Sequence, residues 1–283
     1  MITNKIRLIE LFGGVGCQSI SLRDLAIANG LNPDDVFEHY RLVEFDKFPV
    51  KSYNAIHGTD FVPMDIQDIH GKDIDVEEPD KYTAIWTYSF PCQDLSVAGK
   101  QAGMDRDSGT RSGLLWQVER LLNEVHNLPD ILIMENVTQV HSKKNLHNFE
   151  EWCQFLESKG YHNYWQDLEA SEYGVPQHRN RCFMVSTLED INFEFPRPIP
   201  LHEVMKDRLD PVVDEKFYIN NEKADALIKQ LIADGKLDEE TILEAVDLSV
   251  NKPDTLDIAN CVSARTDRGI SNRRSEGSGV VQC

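Results

Sequence analysis

Cys92 stands in the run Ser89-Phe90-Pro91-Cys92-Gln93, which closes an apolar stretch at 84–88 and opens a segment rich in Gly, Ser and Asp at 94–113. A thiol at the end of a buried strand, with a glycine-bearing loop behind it, is placed to act as a nucleophile on a rigid support. A lone cysteine in an α/β protein is more often an inert core group, so its company matters. Glu135 follows a second apolar stretch, 131–134, in the run Ile133-Met134-Glu135-Asn136-Val137. A carboxyl group there either ends a strand as a surface acid, with Asn136 as a turn residue, or faces the same pocket as the thiol. Gln177-His178-Arg179-Asn180-Arg181 precedes a third apolar stretch, 182–186, and alternation puts Arg179 and Arg181 on one face. Such arginines serve as surface ion-pair partners, or hold a carboxylate, a phosphate or a base carbonyl in fixed geometry.

The elements that must carry these groups are readable from hydrophobic pattern. A buried strand at 6–12 runs into Gly13-Gly14-Val15-Gly16, with a helix beginning near Gln18. That opening suits a nucleotide-binding α/β unit, although it equally suits a tight turn in any α/β protein. The pattern predicts a strand near 40–43, a helix over 48–56, a short strand leading to Asp65 and a strand over 84–89. A helix around 114–126, a strand at 131–134, a helix near 146–158 and strands around 163–168 and 182–186 follow. Strands alternating with helices imply an α/β fold with a mostly parallel sheet covered on both faces.

Within that order, Glu44 ends the second strand, where a carboxylate can accept both hydroxyls of a ribose, and Asp65 can hold an adenine amino group. No phosphate-binding lysine follows the glycines, so an adenosine cofactor without phosphates fits better than a nucleotide triphosphate. Three prolines in 195–200 mark a linker, and beyond it 221–235 reads as an amphipathic helix.

The 283 residues carry a formal net charge of −19, which argues against a chain that coats nucleic acid non-specifically. The charge is uneven, however: 261–283 holds Arg265, Arg268, Arg273 and Arg274 against only Asp267 and Glu276. The six cysteines have neither the density of a disulfide framework nor the spacing of a zinc site, and Cys17, Cys153 and Cys182 read as structural thiols. The N-terminus lacks the layout of a signal peptide and no apolar stretch spans a bilayer, so the expectation is a cytoplasmic protein away from membranes.

Taken in order, these motifs resemble the cytosine-5 DNA methyltransferases over roughly residues 6–187. Leu11-Phe12-Gly13-Gly14-Val15-Gly16 is similar to that family's turn for S-adenosylmethionine, with Glu10 in place of an aspartate, Gly13 in place of an alanine and Cys17 in place of a glycine. The resemblance implies that Phe12 packs on the adenine, that Gly14 and Gly16 shape the turn, and that Glu44 and Asp65 bind the ribose and the adenine edge. It implies Cys92 as nucleophile toward C6 of a cytosine, Glu135 at ring N3 and the exocyclic amine, Arg181 at the O2 carbonyl and Arg179 bracing the site. Gln93, Ser96 and Lys100 fall in the closing loop and, with Arg265 and Arg273, are expected to contact double-stranded DNA. The implied fold is a doubly wound, mostly parallel Rossmann-like methyltransferase sheet, with a catalytic domain over 1–194 and a linker and partial target-recognition region over 195–283.

Two later family motifs, around Thr-Pro-x-Glu and Gly-Asn-(Ser/Ala)-Val, are not found in the sequence. Three readings therefore stand: a DNA methyltransferase, a split protein that needs a second polypeptide, or a cytosine-5 RNA methyltransferase on the same fold.

Overall fold

The computed structural model describes residues 4–92, 95, 103–106, 109–218, 222–240, 243–247, 253–261 and 278–282. The described chain divides into two compact units, one of Met1–Asp167 with Arg181–Phe195 and one of Leu168–Asn180 with Pro196–Cys283.

The first unit is built on β1 (Lys5–Leu11), β2 (Phe37–Val43), β3 (Tyr82–Tyr88), β4 (Ile131–Val137), β5 (His162–Glu169) and β6 (Asn180–Thr187), in the spatial order β2-β1-β3-β4-β6-β5. Strands β2, β1, β3 and β4 run parallel, while β6 returns antiparallel to β4. Helices α1 (Cys17–Ala28), α2 (Pro33–Val36), α3 (Lys47–His57), α4 (Gly71–Ile74), α5 (Leu115–Glu124) and α6 (Leu146–Ser158) connect and cover these strands. The central strands are largely apolar because both faces are packed. On one face Ile9, Leu11, Trp86, Tyr88, Leu132 and Met134 form the main core with the apolar sides of α5 and α6. On the other, Ile6, Leu8 and Ile85 meet Leu22 of α1 and Val36 of α2. Trp152, fully buried, donates its indole N–H to the Tyr88 hydroxyl at 3.0 Å, so its polar atom is met inside the core.

Local chemistry fixes the connections. The side chain of Asp46 caps α3 by accepting from the Phe48 amide at 2.9 Å, and Gly58 ends that helix at φ +69°. The expected short strand before Asp65 does not form. Pro63 lacks an amide to donate, Val62 is exposed, and the segment is instead pinned by the Met64 amide on the Glu44 carbonyl at 2.8 Å. Strand β4 in turn outruns its expected end at Met134: β3 stops pairing at Tyr88↔Met134, but β6 carries the ladder on to Val137↔Arg181.

The second unit contains α7 (Glu222–Ala233) and a three-stranded antiparallel sheet of β7 (Leu243–Asp247), β8 (Asp254–Thr255) and β9 (Ser278–Gln282), ordered β8-β7-β9. Leu227, Leu231, Leu237, Val246 and Val281 make its small core.

Candidate active site

The parallel register brings the carboxyl ends of β2, β1, β3 and β4 to one edge of the sheet, and the antiparallel β6 starts there. Strands β2 and β3 leave β1 in opposite directions, which opens the crevice where doubly wound sheets bind ligands. Glu44, the glycine turn, Cys92, Glu135 and Arg181 all lie along this edge.

At the β1 end the chain turns sharply. Phe12 and Gly14 both take φ +56° and Gly16 takes φ +82°, and the Phe12 amide bonds the Val43 carbonyl at 2.7 Å. A side chain at Gly13 would lie 2.5 Å from the Leu42 side chain and 2.9 Å from Glu10, so a larger residue there would need both neighbours to shift. Gly14, by contrast, faces open space. Its amide donates to one oxygen of the Glu44 carboxylate at 3.2 Å, while the Asp46 amide donates to the other at 2.9 Å. The carboxylate is thus oriented across the mouth of the turn, with lone pairs left for a ligand hydroxyl. Asp65 lies in the loop after α3, its carboxylate accepting from the Gln67 amide at 2.9 Å.

Under the turn sits a polar cluster that sequence reasoning did not find. Glu10, on β1, is wholly buried and accepts from the Ser19 hydroxyl and from the Tyr53 hydroxyl, the latter at 2.5 Å. His39 Nδ1 lies 2.8 Å from the same Tyr53 oxygen. Burial raises the Glu10 pKa against the lowering effect of these hydrogen bonds, and burial with the neighbouring His57 drops His39 to about 4. An acid in a predicted strand gave no sign of this, although the departure from the family's aspartate marked the position.

At the β3 and β4 ends, Cys92 is half-buried against the main core. The Phe90-Pro91-Cys92 segment is held from two sides. The buried Asn136 side chain donates to the Phe90 carbonyl at 3.0 Å, and the Ser112 hydroxyl donates to the Pro91 carbonyl at 2.7 Å. Asn136 also accepts from the Val137 amide at 2.9 Å, so it is a strand residue and not the turn residue its type suggests. Glu135 points to the other face of β4, where its carboxylate meets Arg181 Nε at 3.1 Å. Arg181 lies in β6, opposite Val137.

Arg179 precedes β6 and belongs to the second unit. There its amide donates to Glu169 at 2.7 Å, its carbonyl accepts from Ala170 at 3.0 Å, and its guanidinium lies 3.9 Å from Cys261 Sγ. Gln93, Ser96, Lys100, Arg265 and Arg273 lie outside the described residues. Among the described residues no helix is long and apolar enough to cross a membrane.

A half-buried thiol, a carboxylate held by a guanidinium and a glycine turn bridged by an acid thus share one edge of an α/β sheet. Residues 6–264 match the C-5 cytosine-specific DNA methylase family, and the chain belongs to it. It is 46% identical over 147 residues to the type II methyltransferase M2.ScrFI of Lactococcus lactis subsp. cremoris, an alignment covering 51% of this chain and 40% of the relative. It is 44% identical over 160 residues to the orphan methyltransferase M.SssI of Spiroplasma monobiae, covering 56% of this chain and 40% of that protein. The chain thus spans about two-fifths of the length of these relatives. In fold it is similar to the Entamoeba histolytica methyltransferase EhMeth, at a TM-score of 0.59 and 19% identity, covering 81% of this chain and 66% of that one. The S. pombe Dnmt2 methyltransferase gives a TM-score of 0.57 at 21% identity, covering 83% and 67%.

Proposed function

We propose that this chain carries the catalytic edge of an enzyme that methylates C5 of a cytosine in a short, specific sequence of double-stranded DNA, using S-adenosylmethionine. The observation that supports it most is the single sheet edge shared by Cys92, the Glu135–Arg181 pair and the Glu44-bridged glycine turn in a member of the cytosine-specific family.

The donor end suits an adenosine. Gly14 opens onto free space, Glu44 keeps acceptor capacity for ribose hydroxyls, Phe12 offers a ring beside the turn, and Asp65 offers a carboxylate for the adenine edge. Bound there, S-adenosylmethionine supplies an electrophilic sulfonium methyl group.

At the other end, C5 of cytosine is too weak a nucleophile to take a methyl group unaided. The Cys92 thiolate adds its electron pair to C6, and the C5–C6 π pair moves onto C5. Glu135 accepts from the exocyclic amine and shares a proton with N3, offsetting charge that gathers on the ring. Arg181 holds the carboxylate in place and reaches the O2 carbonyl. Once C5 is substituted, loss of its proton returns an electron pair to the ring and expels the thiolate.

A stacked base cannot reach these groups, so the cytosine is extruded at a cost of about a few kcal/mol. Gln93, Ser96 and Lys100, which follow Cys92 in the sequence, and Arg265 and Arg273 are assigned to DNA, and the second unit to target recognition.

The test is transfer of a tritiated methyl group to duplex DNA and, in parallel, to transfer RNA. The expected result is label in DNA that disappears in Cys92→Ala while cofactor affinity stays within about twofold. Undiminished transfer by Cys92→Ala overturns the reading, and label confined to RNA reassigns the substrate. Transfer seen only after a second polypeptide is added makes this chain half of a split enzyme.

A further inference from the structure

Behind the active-site edge, on the opposite face of β6 from Arg181, three ligand types meet. His141 ends the 3-10 turn Thr138–His141 that follows β4, Asp167 lies on β5 and Cys182 on β6. Their ligand atoms all lie within 4.8 Å of one another. His141 Nε2 stands 2.9 and 3.1 Å from the two Asp167 oxygens, and Cys182 Sγ lies within 4.8 Å of both partners' ligand atoms.

We propose that His141, Asp167 and Cys182 form a binding site for a thiophilic divalent cation of the zinc class, which clasps the turn after Glu135-Asn136-Val137 to β5 and β6.

The donor set selects the ion. One imidazole nitrogen, one carboxylate oxygen and one sulfur suit zinc or cobalt, whereas magnesium and calcium take oxygen ligands. Bonds of about 2.0–2.3 Å in a tetrahedral site set the ligand atoms roughly 3.5 Å apart. Occupancy therefore widens the His141–Asp167 contact by about half an ångström and draws the sulfur in, movements within the reach of side-chain rotation.

Each ligand is held by rigid structure. Cys182 is fully buried on a strand with neighbours on both sides, and the His141 ring packs 4.9 Å from Trp165 and 5.9 Å from Phe149. His141 and Asp167 keep 22% and 33% of their side chains exposed, which gives an ion a way in and leaves a fourth position for water. Binding exchanges the Cys182 thiol proton for the cation and releases it to solvent. The ligands are far apart in the chain, which is why cysteine spacing does not reveal the site.

The proposal is independent of the methyl-transfer reading and has its own test. Metal-free protein is titrated with cobalt(II) alone, then with zinc(II). The expected result is one equivalent of bound cobalt with thiolate-to-cobalt charge-transfer absorption, displaced by zinc, and a zinc-dependent rise in melting temperature. Cys182→Ala should abolish the absorption. His141→Gln and Asp167→Asn, at half-exposed positions that tolerate change, should each weaken binding at least roughly tenfold. Absence of the charge-transfer band in the wild type overturns the site and leaves a metal-free hydrogen-bonded cluster. A band of unchanged affinity in His141→Gln also overturns it, by assigning the metal to other cysteines, even should Cys182→Ala fail to fold.

Discussion

Glu10 and Glu135 sit near the same edge of the sheet, yet one is wholly buried under the glycine turn and the other keeps about a quarter of its side chain in solvent. Glu10 is met by two neutral hydroxyls, from Ser19 and Tyr53, and burial raises its pKa. Glu135 is met by the charged Arg181 at 3.1 Å. Water can still screen and exchange with the Glu135 pair, so that pair contributes little to stability. The Glu10 cluster has only itself, so every member it loses leaves a dry polar atom. The β1 end is therefore built as a foundation, and the β4–β6 end as a surface that can meet a substrate.

That contrast is broken or upheld most sharply by removing each acid. Glu10→Ala strips the acceptor from two buried hydroxyls and opens a cavity, and is expected to destabilise the fold by about 4 kcal/mol. Glu135→Gln should change stability by no more than about 1 kcal/mol while slowing methyl transfer. Urea unfolding of both variants decides the matter, and equal losses would refute the division. The glycines give a second pair. A side chain at Gly16 would lie within 2.6 Å of the Tyr53 ring, at φ +82°. Gly16→Ala is expected to cost about 3 kcal/mol, whereas Gly14→Ala, with a positive φ but free space, should cost about 1 kcal/mol. Comparable melting curves for the two would show that the turn is not seated on the Tyr53 cluster.

The sequence makes the end with Cys92 and Glu135 legible and leaves the foundation hidden, for a physical reason. Strands packed on both faces read as continuous apolar runs, so the positions of Cys92 and Glu135 just beyond such runs can be found by pattern alone. Helix α6 likewise matches its periodic stretch, Leu146–Ser158. Glu10 is an acid inside an apolar run, and its meaning depends on Ser19, His39 and Tyr53, which only the folded chain brings to it. Asn136 reads as a turn residue because its strand gains length from β6, a partner distant in sequence. The β7–β9 pairing in the second unit is equally non-local, so 243–247 and 278–282 give no joint signal.

Acid should expose the foundation as well. His39 drops from 6.5 to about 4 because burial and His57 disfavour its charged form, with Ser19 and Tyr53 bonded to Nδ1, Phe37 packed on its ring and Asp34 pulling weakly the other way. Between pH 6.5 and 4 the unfolded chain carries a proton on this ring that the folded chain lacks, so stability falls as pH falls through that window. The full span would be worth about 3 kcal/mol, and partial exposure of the ring reduces it to about 2 kcal/mol. Glu10 has the opposite sign: its raised pKa keeps a proton on the folded chain where the unfolded chain has lost it, so its contribution is present at low pH and declines as pH rises. Comparing wild type with His39→Phe isolates the ring. The variant should lose less stability between pH 6.5 and 4, and parallel profiles would mean that the ring titrates freely in the folded state.

A modest change in stability is expected at a residue that joins the two kinds of polar group. Asn136 is buried like Glu10, yet it ties the strand of Glu135 to the carbonyl of Phe90, two residues before Cys92. Asn136→Ala leaves the Phe90 carbonyl and the Val137 amide without these partners, at about 1.5 kcal/mol. Its effect on the transfer rate should be larger than that loss implies, because a misplacement of about 1 Å in a reacting group can slow a reaction roughly a hundredfold. Methyl transfer measured well below the melting temperature separates the two effects. A rate that falls only with the folded fraction would make Asn136 part of the foundation, while a hundredfold fall in a folded protein would make it the residue that aims the thiol.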